Sequence, residues 1–368
     1  MKIARRTAYS VNFVAACFTA ACALLPAGMT KALTLEEIAH YKGSDRAQVL
    51  LDGAKKEGKA VFYSALNIEL TMRPLQAAFQ QKYPGVRLES WRGDSAEIVQ
   101  KVMTERQARN QVADLIEAGS VAVSAIKGGA VQSFYSPSVA EFLPQHQDPN
   151  GLWAPTRFVY FGIAYNTRQV TAEQAPKKFG DLLDPKWKNK MVWVETLDSA
   201  APLFAQNVKR TMGDRAADEY LKKLATQNIT PFGSSGLTAM VDRLAQGEYS
   251  IAVAATAHTP LNLAKQKGAP LGVEMFEPVP GIVNTIHLIK GAPNPHAAML
   301  FIDYLTSKEG QTTLNNTGYM AAHPAVDPEP HLNKVVPRIA GLKEWFVTPE
   351  ELFDMRVSSF EYFKKYFD

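Results

Sequence analysis

Short runs of branched and aromatic residues alternate along this chain with longer stretches whose apolar residues recur every three or four positions. The short runs have the composition of buried strands, whereas the spacing in the longer stretches is that of amphipathic helices. Because strands and helices alternate, the sequence predicts an α/β fold with largely parallel sheets. The predicted strands are residues 59–64, 86–91, 112–117, 158–166, 191–195, 229–233, 250–256 and 278–289.

Several helices have recognisable ends. The segment Asp94-Ser95-Ala96-Glu97 has the spacing of a capping box, and an apolar stripe follows it. A second helix is expected to stop at Gly247, and a third is predicted from His296 to Lys308. The C-terminal tail contains two amphipathic, aromatic-rich stretches, 345–353 and 360–367, which predict helices that pack across the protein.

The N-terminal segment has the pattern of a targeting signal rather than of folded structure. Three of the first six residues are basic, and no charged residue occurs between positions 8 and 28. Small residues then predict cleavage after Ala32, so residues 1–32 are expected to be a signal peptide. The alternatives are a retained membrane anchor and a lipoprotein that is cleaved before Cys17.

Removal of this segment changes the composition of the protein. Both cysteines, Cys17 and Cys22, lie within it, so the mature chain is expected to have no disulfide, thiolate nucleophile or cysteine metal ligand. The whole chain has 40 basic and 36 acidic residues, and four of the basic residues but no acidic one lie in the signal. The remaining charges balance, which gives no reason to expect a nucleic acid as a partner.

The stretch from Phe158 to Glu195 resembles a known family. It reads F-V-Y-F-G-I-A-Y-N-T-R-Q-V, then F-G-D-L-L-D-P-K-W-K-N-K, then M-V-W-V-E. The phrases A-A-M-L-F-I-D-Y-L-T-S-K-E-G-Q and G-Y-M-A-A-H-P follow further along the chain. In this order and spacing, the phrases resemble extracellular solute-binding proteins of ABC importers, specifically the ferric-iron-type group, over residues 48–325.

The resemblance implies a type II periplasmic-binding-protein fold, in which crossing strands join two α/β lobes and a ligand cleft lies between them. Lobe one would comprise residues 33–158 and 281–368, and lobe two residues 159–280. The resemblance also implies a periplasmic, monomeric protein without a cofactor. Such a protein captures a small molecule by hinge closure and delivers it to the permease of an ABC importer.

Small polar residues follow one predicted strand after another. Ligands of open α/β sheets bind beyond the carboxyl ends of strands, and the helix starts located there favour anions. One such serine is usually a helix cap, but six loops that converge, as the resemblance implies, predict a site for a small organic anion. The candidate ligand-binding residues are Ser64, Asn67, Arg92, Asp94, Ser95, Gly119, Ser120, Tyr160, Ser199, Ser234, Ser235, Gly236, Thr256 and His258.

Arg92 is the cation that we expect to bind the anion. It ends a predicted strand within W-R-G-D-S, and its planar guanidinium matches a carboxylate or a phosphonate. The alternative is that Arg92 forms a salt bridge with Asp94 or Glu117. Arg157 and Tyr160 flank the crossing strand within reach of the cleft, although core packing accounts for Tyr160 equally well.

Ferric iron is an alternative ligand. Ferric-binding relatives hold the metal with adjacent tyrosines in the second lobe, and Fe³⁺ favours hard anionic oxygen donors of this kind. This chain has no Tyr-Tyr pair, and the matching stretch offers only Thr256, His258 and Thr259. Because a loop histidine more often serves as a hydrogen-bonding group than as a metal ligand, the sequence predicts no metal site.

A secreted hydrolase on a similar two-lobed fold is the alternative from another class of protein. The sequence G-S-S-G is one residue short of a nucleophile elbow. No Walker loop or dinucleotide fingerprint occurs, so the sequence predicts a binding protein rather than an enzyme.

Overall fold

One long strand joins the two parts of a mixed twelve-stranded sheet in the computed structural model of this protein. The structure describes residues 33–195, 200–233 and 236–367. The strands within those ranges are β1 (Lys59–Ser64), β2 (Arg87–Arg92), β3 (Leu115–Ala118), β4 (Val131–Gln132), β5 (Ala154–Asn166), β6 (Met191–Val194), β7 (Thr230–Phe232), β8 (Ile251–Thr256), β9 (Leu271–Glu274), β10 (Val279–Ile289), β11 (Met320–Ala321) and β12 (Glu344–Val347).

Helices cover the sheet and connect its strands. Among the described residues, none of these helices is both long enough and apolar enough to cross a membrane. The helices are α1 (Leu35–Ala39), α2 (Arg46–Glu57), α3 (Arg73–Lys82), α4 (Ser95–Gln107), α5 (Ala122–Lys127), α6 (Ala200–Met212), α7 (Asp214–Ala225), α8 (Gly236–Gln246), α9 (His258–Lys267), α10 (Pro295–Thr306), α11 (Lys308–Asn315), α12 (Pro337–Ala340) and α13 (Pro349–Lys364). Short 3-10 or π turns occur at Ile68–Met72, Pro137–Glu141, Pro144–His146, Phe179–Leu183, Pro185–Trp187 and Pro330–Val335.

The sheet has two sections, which share β5. The first section has the order β2-β1-β3-β10-β5, with β4 and β12 also paired to β10 and β11 paired to β5. The second section has the order β5-β8-β6-β7, with β9 also paired to β5. Strand β5 pairs with β10 as far as Tyr160 and with β8 from Phe161 onward, so its path crosses from one section to the other.

The sheet is mixed, whereas the sequence pattern predicted largely parallel strands. In the first section β1 runs parallel to β2 and β3, and in the second β6 runs parallel to β7 and β8. The crossing strands β5 and β10 run antiparallel to each other, and β10 is antiparallel to β3. The departure follows from the crossover, because β10 must carry the chain back in the direction opposite to β5.

Each section has its own aromatic core. In the first, Phe301 of α10 lies 5.2 Å from both Phe62 of β1 and Phe79 of α3. In the second, Trp193 of β6 lies 5.0 Å from Phe363 at the end of α13. All five side chains are almost completely buried, and burial of such rings is a main source of stability in domains of this size.

The capping box predicted at Asp94 is confirmed. Its carboxylate accepts hydrogen bonds from the backbone of Ala96 and Glu97, and the Glu97 side chain reaches back to the backbone of Asp94. Ile98, Val99 and Val102 of the predicted apolar stripe are buried and Met103 is partly buried, and α4 begins directly after its cap. Gly247 follows the end of α8 with a positive φ of 87°, as expected of a helix stop.

Two predictions about helices were wrong in detail. The helix predicted from His296 to Lys308 ends at Thr306, because Ser307 is extended and its hydroxyl caps α11 instead. Residues 344–347, whose aromatic part was assigned to a helix, form the strand β12 beside β10. Pairing with β10 explains the second difference, and Pro349 keeps Thr348 extended, so that the helix begins only after Thr348.

Candidate functional site

A chain of side-chain contacts runs from the carboxyl end of β3 in the first section to the start of α9 in the second. Glu117 of β3 binds Arg157 of β5, and the guanidinium of Arg157 lies 4.5 Å from the ring of Tyr319. The ring of Tyr319 in turn lies 5.6 Å from that of His258. These four residues, with Ser64, Thr156, Thr256 and Asn284 around them, are called the interlobe polar cluster below.

Glu117 is the centre of the cluster on the side of the first section. Its side chain is 1% exposed, and it accepts hydrogen bonds from the hydroxyl of Ser64 at 2.6 Å and that of Thr156 at 2.8 Å. The Nε of Arg157 donates to the same carboxylate at 3.0 Å. Three donors thus satisfy a carboxylate that would otherwise be costly to bury.

A β-bulge makes this convergence possible. The pairing of β5 with β10 shifts between Asn284 and Thr285, opposite Pro155 and Arg157. Bulges bend a strand and change the direction of its side chains. In this case the neighbouring residues Thr156 and Arg157 both reach Glu117, although in a regular strand they would point to opposite faces.

Arg157 keeps part of its donor capacity free. Its side chain is only 9% exposed, and among the described residues only its Nε donates a hydrogen bond, so both Nη atoms are available. Burial disfavours the charge of Arg157, but Glu117, together with Tyr319, raises the pKa of the guanidinium above its usual value. The site therefore presents a permanent cation with unused N–H groups.

His258 is an open polar group on the side of the second section. It is the first residue of α9, it is 9% exposed, and its buried Nδ1 has no hydrogen-bond partner in the described part of the chain. Burial, and secondarily the charge of Arg157, lower the pKa of His258 to about 3. The imidazole is therefore neutral at physiological pH, and it can donate one hydrogen bond and accept another.

The backbone around His258 favours an anion. Among the described residues, no side chain caps helix α9, so no described hydroxyl or carboxylate accepts from its first N–H groups. Thr256 ends β8 just before this helix, and its hydroxyl lies 2.9 Å from that of Thr259. Two residues earlier, Ala254 has a positive φ of 55°, at an irregularity in the pairing of β8 with β5. Such a strained position costs roughly 1–2 kcal/mol and is frequent at ligand sites.

The predicted binding residues of the first section lie at the carboxyl ends of β1, β2 and β3. Arg92 is exposed, and it makes no ion pair with any described residue. Asp94 caps α4 and Glu117 binds Arg157, so neither of the two predicted salt-bridge partners pairs with Arg92.

The remaining candidates of the first section differ in their surroundings. Asn67 is exposed and caps the π turn by accepting from the backbone of Leu70 at 2.9 Å. Ser95 is the first residue of α4, and Gly119 and Ser120 follow β3 directly. A Cβ atom on Gly119 would lie 3.7 Å from the side-chain oxygen of Asn284, so this loop runs beside the cluster.

Tyr160 lies in the core rather than among the open polar groups. It is 2% exposed, it packs against Phe158, and its hydroxyl is bonded to the carboxyl group of Glu344. Burial, together with the charge of Glu344, raises the pKa of Tyr160 far above its usual value. The hydroxyl is thus already engaged within the protein.

Of the candidates in the second section, four remain to be placed. Ser199, Ser234 and Ser235 lie outside the described residues, and Gly236 begins α8. Nothing in the geometry therefore bears on the three serines, and their part in binding stays a prediction.

Sequence reasoning did not name four members of the cluster as site residues, among them Asn284 of β10. Glu117 was considered only as a partner of Arg92, and Thr156 and Tyr319 were not considered as site residues. A weak signal existed for Glu117, since an acid at the end of the buried run Leu115–Ile116 must have a partner. Among the described residues, no group of three or more His, Cys, Asp or Glu side chains is arranged to hold a metal ion.

Solved structures share the architecture of this chain. AfuA of Actinobacillus pleuropneumoniae, solved with fructose-6-phosphate, superposes with a TM-score of 0.67 at 24% identity, over 84% of this chain and 98% of AfuA. Iron-bound HitA of Pseudomonas aeruginosa superposes with a TM-score of 0.68 at 19% identity, over 83% of this chain and 98% of HitA. The fold is that of a type II periplasmic binding protein, with two lobes and a cleft between them.

The sequence places the chain in a particular family. The pattern of the bacterial extracellular solute-binding proteins matches residues 110–339, more than half of the chain, so the chain belongs to this family. Its members bind small solutes outside the cytoplasm and work with the permeases of ABC importers. Because the family consists of binding proteins, membership decides against a secreted hydrolase.

Two curated relatives differ in the ligand for which they are named. A periplasmic protein of Salmonella typhi, provisionally named for binding 2-aminoethylphosphonate, is 27% identical over 278 residues, which are 72% of this chain and 78% of the relative. Iron uptake protein A1 of Synechocystis is 23% identical over 251 residues, which are 64% of this chain and 68% of the relative.

Proposed function

We propose that this solute-binding protein captures a small organic anion in its cleft, where the Nη atoms of Arg157 and the open nitrogen of His258 bind the anionic group. One observation carries the proposal: a buried guanidinium with N–H groups that no described residue uses and a buried imidazole nitrogen without a partner among those residues both lie against the ring of Tyr319. Buried polar atoms in native proteins are nearly always paired. A ligand that accepts hydrogen bonds would satisfy both residues at once.

The charges of the site favour an oxyanion over a cation. Glu117 balances Arg157 and is itself fully engaged, so it offers no free carboxylate to a positively charged ligand. The uncapped start of α9 adds N–H groups that favour negative charge. Arg92 at the end of β2 makes no ion pair with a described residue and would add a second guanidinium to the site.

A phosphonate or a phosphate monoester fits these donors best. Guanidinium groups bind such groups through paired hydrogen bonds, and several donors are needed to satisfy three oxygens. The relatives support this ligand class, since one is named for 2-aminoethylphosphonate and another was solved with fructose-6-phosphate. Carboxylates are the second class to test.

The protein is expected to work as an exported monomer. Residues 1–32 would direct export and be removed, and the mature chain would begin near Leu33 in the periplasm. Lobe one would comprise 33–158 and 281–368, and lobe two 159–280. The change of partner along β5, between Tyr160 and Phe161, supports a hinge near the first of these limits.

Ferric iron is the second candidate ligand. It is favoured by the similarity to iron uptake protein A1 and by the position of the Tyr319 phenol close to His258. Two such side chains leave most positions of a ferric ion unfilled. If iron is bound, we therefore expect it to require an accompanying anion, which Arg157 would bind.

A calorimetric screen tests the proposal. The protein is titrated with 2-aminoethylphosphonate, phosphate monoesters, dicarboxylates and ferric citrate, and the tightest ligand is then titrated into the Arg157→Lys variant. Lysine keeps the charge but loses the planar fork, so we expect binding to weaken at least tenfold. Arg168→Lys, at an exposed position, is the matched control and is expected to bind as tightly as the parent. An Arg157→Lys variant that is folded and binds as tightly as the parent would contradict the proposal.

A further inference from the structure

The start of the C-terminal helix α13 contacts the first section of the sheet. Glu350 accepts a hydrogen bond from Nε1 of Trp153 at 2.9 Å, directly before β5. One turn later, Asp354 pairs with Lys127 of α5 at 2.8 Å, and both of these side chains are largely exposed. The Nζ of Lys127 also lies 4.8 Å from the ring of Phe353, so the side chains that join this end of the helix to α5 are mostly charged and exposed.

The other end of α13 is embedded in the second section. Phe363 is fully buried, and its ring lies 5.0 Å from that of Trp193 in β6. Phe367, just beyond the helix, lies 4.6 Å from the same tryptophan. Lys364 binds Glu195 at 3.0 Å, at the residue that follows β6.

The second section holds this end through further polar contacts. The hydroxyl groups of Tyr362 and Tyr366 both donate to the carboxylate of Asp218 in α7, the former at 3.1 Å. Lys365 lies 3.5 Å from the same carboxylate. The end of α13 is therefore joined to β6 and α7 by stacked rings and by several hydrogen bonds.

The helix begins beside the crossing point of the two sections. Strand β12 runs parallel to β10 and pairs with it from Val279 to Ile282, directly after the chain returns from the second section. Thr348 then caps α13 through a capping box. A helix of 16 residues that starts at this point is about 24 Å long, so it extends well beyond the crossing strands.

We infer that α13 is a brace between the lobes, which moves with the second section and stabilises the present arrangement of the lobes through its contacts with Trp153 and Lys127. In a two-lobed protein, hinge closure rotates one lobe against the other. A helix joined to both lobes must then lose the contacts at one of its ends. An exposed ion pair and one hydrogen bond break more readily than buried stacked rings.

The brace has a consequence for ligand binding. The affinity of a cleft ligand depends on the fraction of protein already in the arrangement that binds it. Contacts of α13 with the first section would therefore change the fraction of protein that is ready to bind a ligand. The residues that make these contacts lie outside the interlobe polar cluster. This inference rests on the two-lobed fold and not on the identity of the ligand, so it can be tested without one.

Distance measurements on spin-labelled protein provide the test. Cys17 and Cys22 are replaced by serine, and labels are attached at cysteines introduced at the exposed positions Gln107 in α4 and Asp242 in α8. The ligand-free distance distribution is then measured by electron–electron double resonance. In the variant Glu350→Ala/Asp354→Ala, we expect the population at the principal distance of the parent to fall at least twofold.

The matched control removes an exposed ion pair that lies within one helix. Arg215 and Glu219 of α7 are 3.3 Å apart, and the variant Arg215→Ala/Glu219→Ala should leave the distribution unchanged. Trp153→Phe removes only the N–H donor to Glu350, and we expect a smaller shift in the same direction. The inference is overturned if the brace variant, with parental circular dichroism and Tm, keeps the parental distribution, or if the control shifts as much. Should the double variant fail to fold, Trp153→Phe decides by the same criterion.

Discussion

The two sides of the interlobe polar cluster differ in whether their buried polar groups have hydrogen-bond partners. On the side of the first section, Glu117 is buried and accepts hydrogen bonds from three side chains. On the side of the second section, the buried Nδ1 of His258 has no partner among the described residues, and α9 begins without a side-chain cap. A buried donor or acceptor without a partner costs free energy, so the second side is the one that a ligand would complete.

The difference separates stability from binding. A group whose partners lie within the protein contributes to folding, and its removal leaves those partners unsatisfied. A group that is left open lowers stability somewhat and is available for a ligand, as strained or unpaired groups at functional sites often are. Arg157 belongs to both sides, because its Nε binds Glu117 while its Nη atoms are unused.

The largest effect is expected at the satisfied side. Glu117→Ala would leave Arg157 buried without its counter-charge, and removal of one partner from a buried pair costs about 3–5 kcal/mol. We expect the free energy of unfolding, measured by chemical denaturation, to fall by that amount. Glu89→Ala is the control, since Glu89 is half-exposed and its pair with Lys59 is worth less than about 1 kcal/mol. An equal decrease in the free energy of unfolding in the two variants would mean that the hydrogen bonds of Glu117 stabilise the protein no more than an exposed ion pair.

Replacement of Arg92 should affect binding rather than stability, in contrast to replacement of Glu117. It has no ion pair among the described residues, so we expect Arg92→Ala to leave the free energy of unfolding nearly unchanged. Loss of a charge-assisted hydrogen bond should nevertheless weaken binding of the anion by about 1.5–3 kcal/mol. Calorimetric titration with the tightest ligand of the screen measures this loss. Arg87→Ala on the same strand is the control, because Arg87 lies at the opposite end of β2. If Arg92→Ala binds like the parent, the anion is bound by the interlobe polar cluster alone.

The open side predicts a dependence of stability on pH. The pKa of His258 is lowered to about 3 by burial and by Arg157, whereas an unfolded histidine has a pKa near 6.5. As pH falls from 7 to 5, the unfolded state therefore gains a proton that the folded state does not, and the free energy of unfolding decreases by about 2 kcal/mol.

The variant His258→Asn removes this contribution. We expect its loss of stability between pH 7 and pH 5 to be smaller than that of the parent by about 2 kcal/mol. Buried His146 and His287, whose pKa values burial lowers to about 4, would maintain a residual slope in both proteins. The exposed His40→Asn serves as the control. Parallel pH curves for His258→Asn and the parent would show that the imidazole is not held neutral.

The sequence predicted the strands and helix caps well, but it did not predict which polar groups of the cluster have partners. The strands at 59–64 and 251–256 and the cap at Asp94 are determined by local composition, and the structure has them within a residue or two. The segment 345–353 was assigned to a helix because it is amphipathic and rich in aromatic residues, but its first residues lie in the strand 344–347. Its pairing with β10, more than sixty residues away, decides its structure.

The interlobe polar cluster depends on contacts that no local pattern reports. Arg157 and Thr156 reach Glu117 only because of a bulge opposite Asn284, which alternation of polar and apolar residues does not reveal. Tyr319 comes from a turn that the sequence marks only as part of a family phrase. Candidates at strand ends could be named from the sequence, but which of them have partners is a matter of tertiary packing.

The smallest effect is expected at Tyr319, which lies between the two sides. Its ring is 4.5 Å from the guanidinium of Arg157, and a contact of this kind contributes about 0.5–1 kcal/mol, or more when it is desolvated. Tyr319→Leu should therefore weaken binding of the anion by about that amount, because Arg157 loses the ring that orients its guanidinium. Tyr319→Phe keeps the ring, so we expect its binding in calorimetric titration to stay within about 0.5 kcal/mol of the parent. If the phenylalanine variant loses as much as the leucine variant, the hydroxyl itself contacts the ligand, and Tyr319 belongs with His258 on the open side.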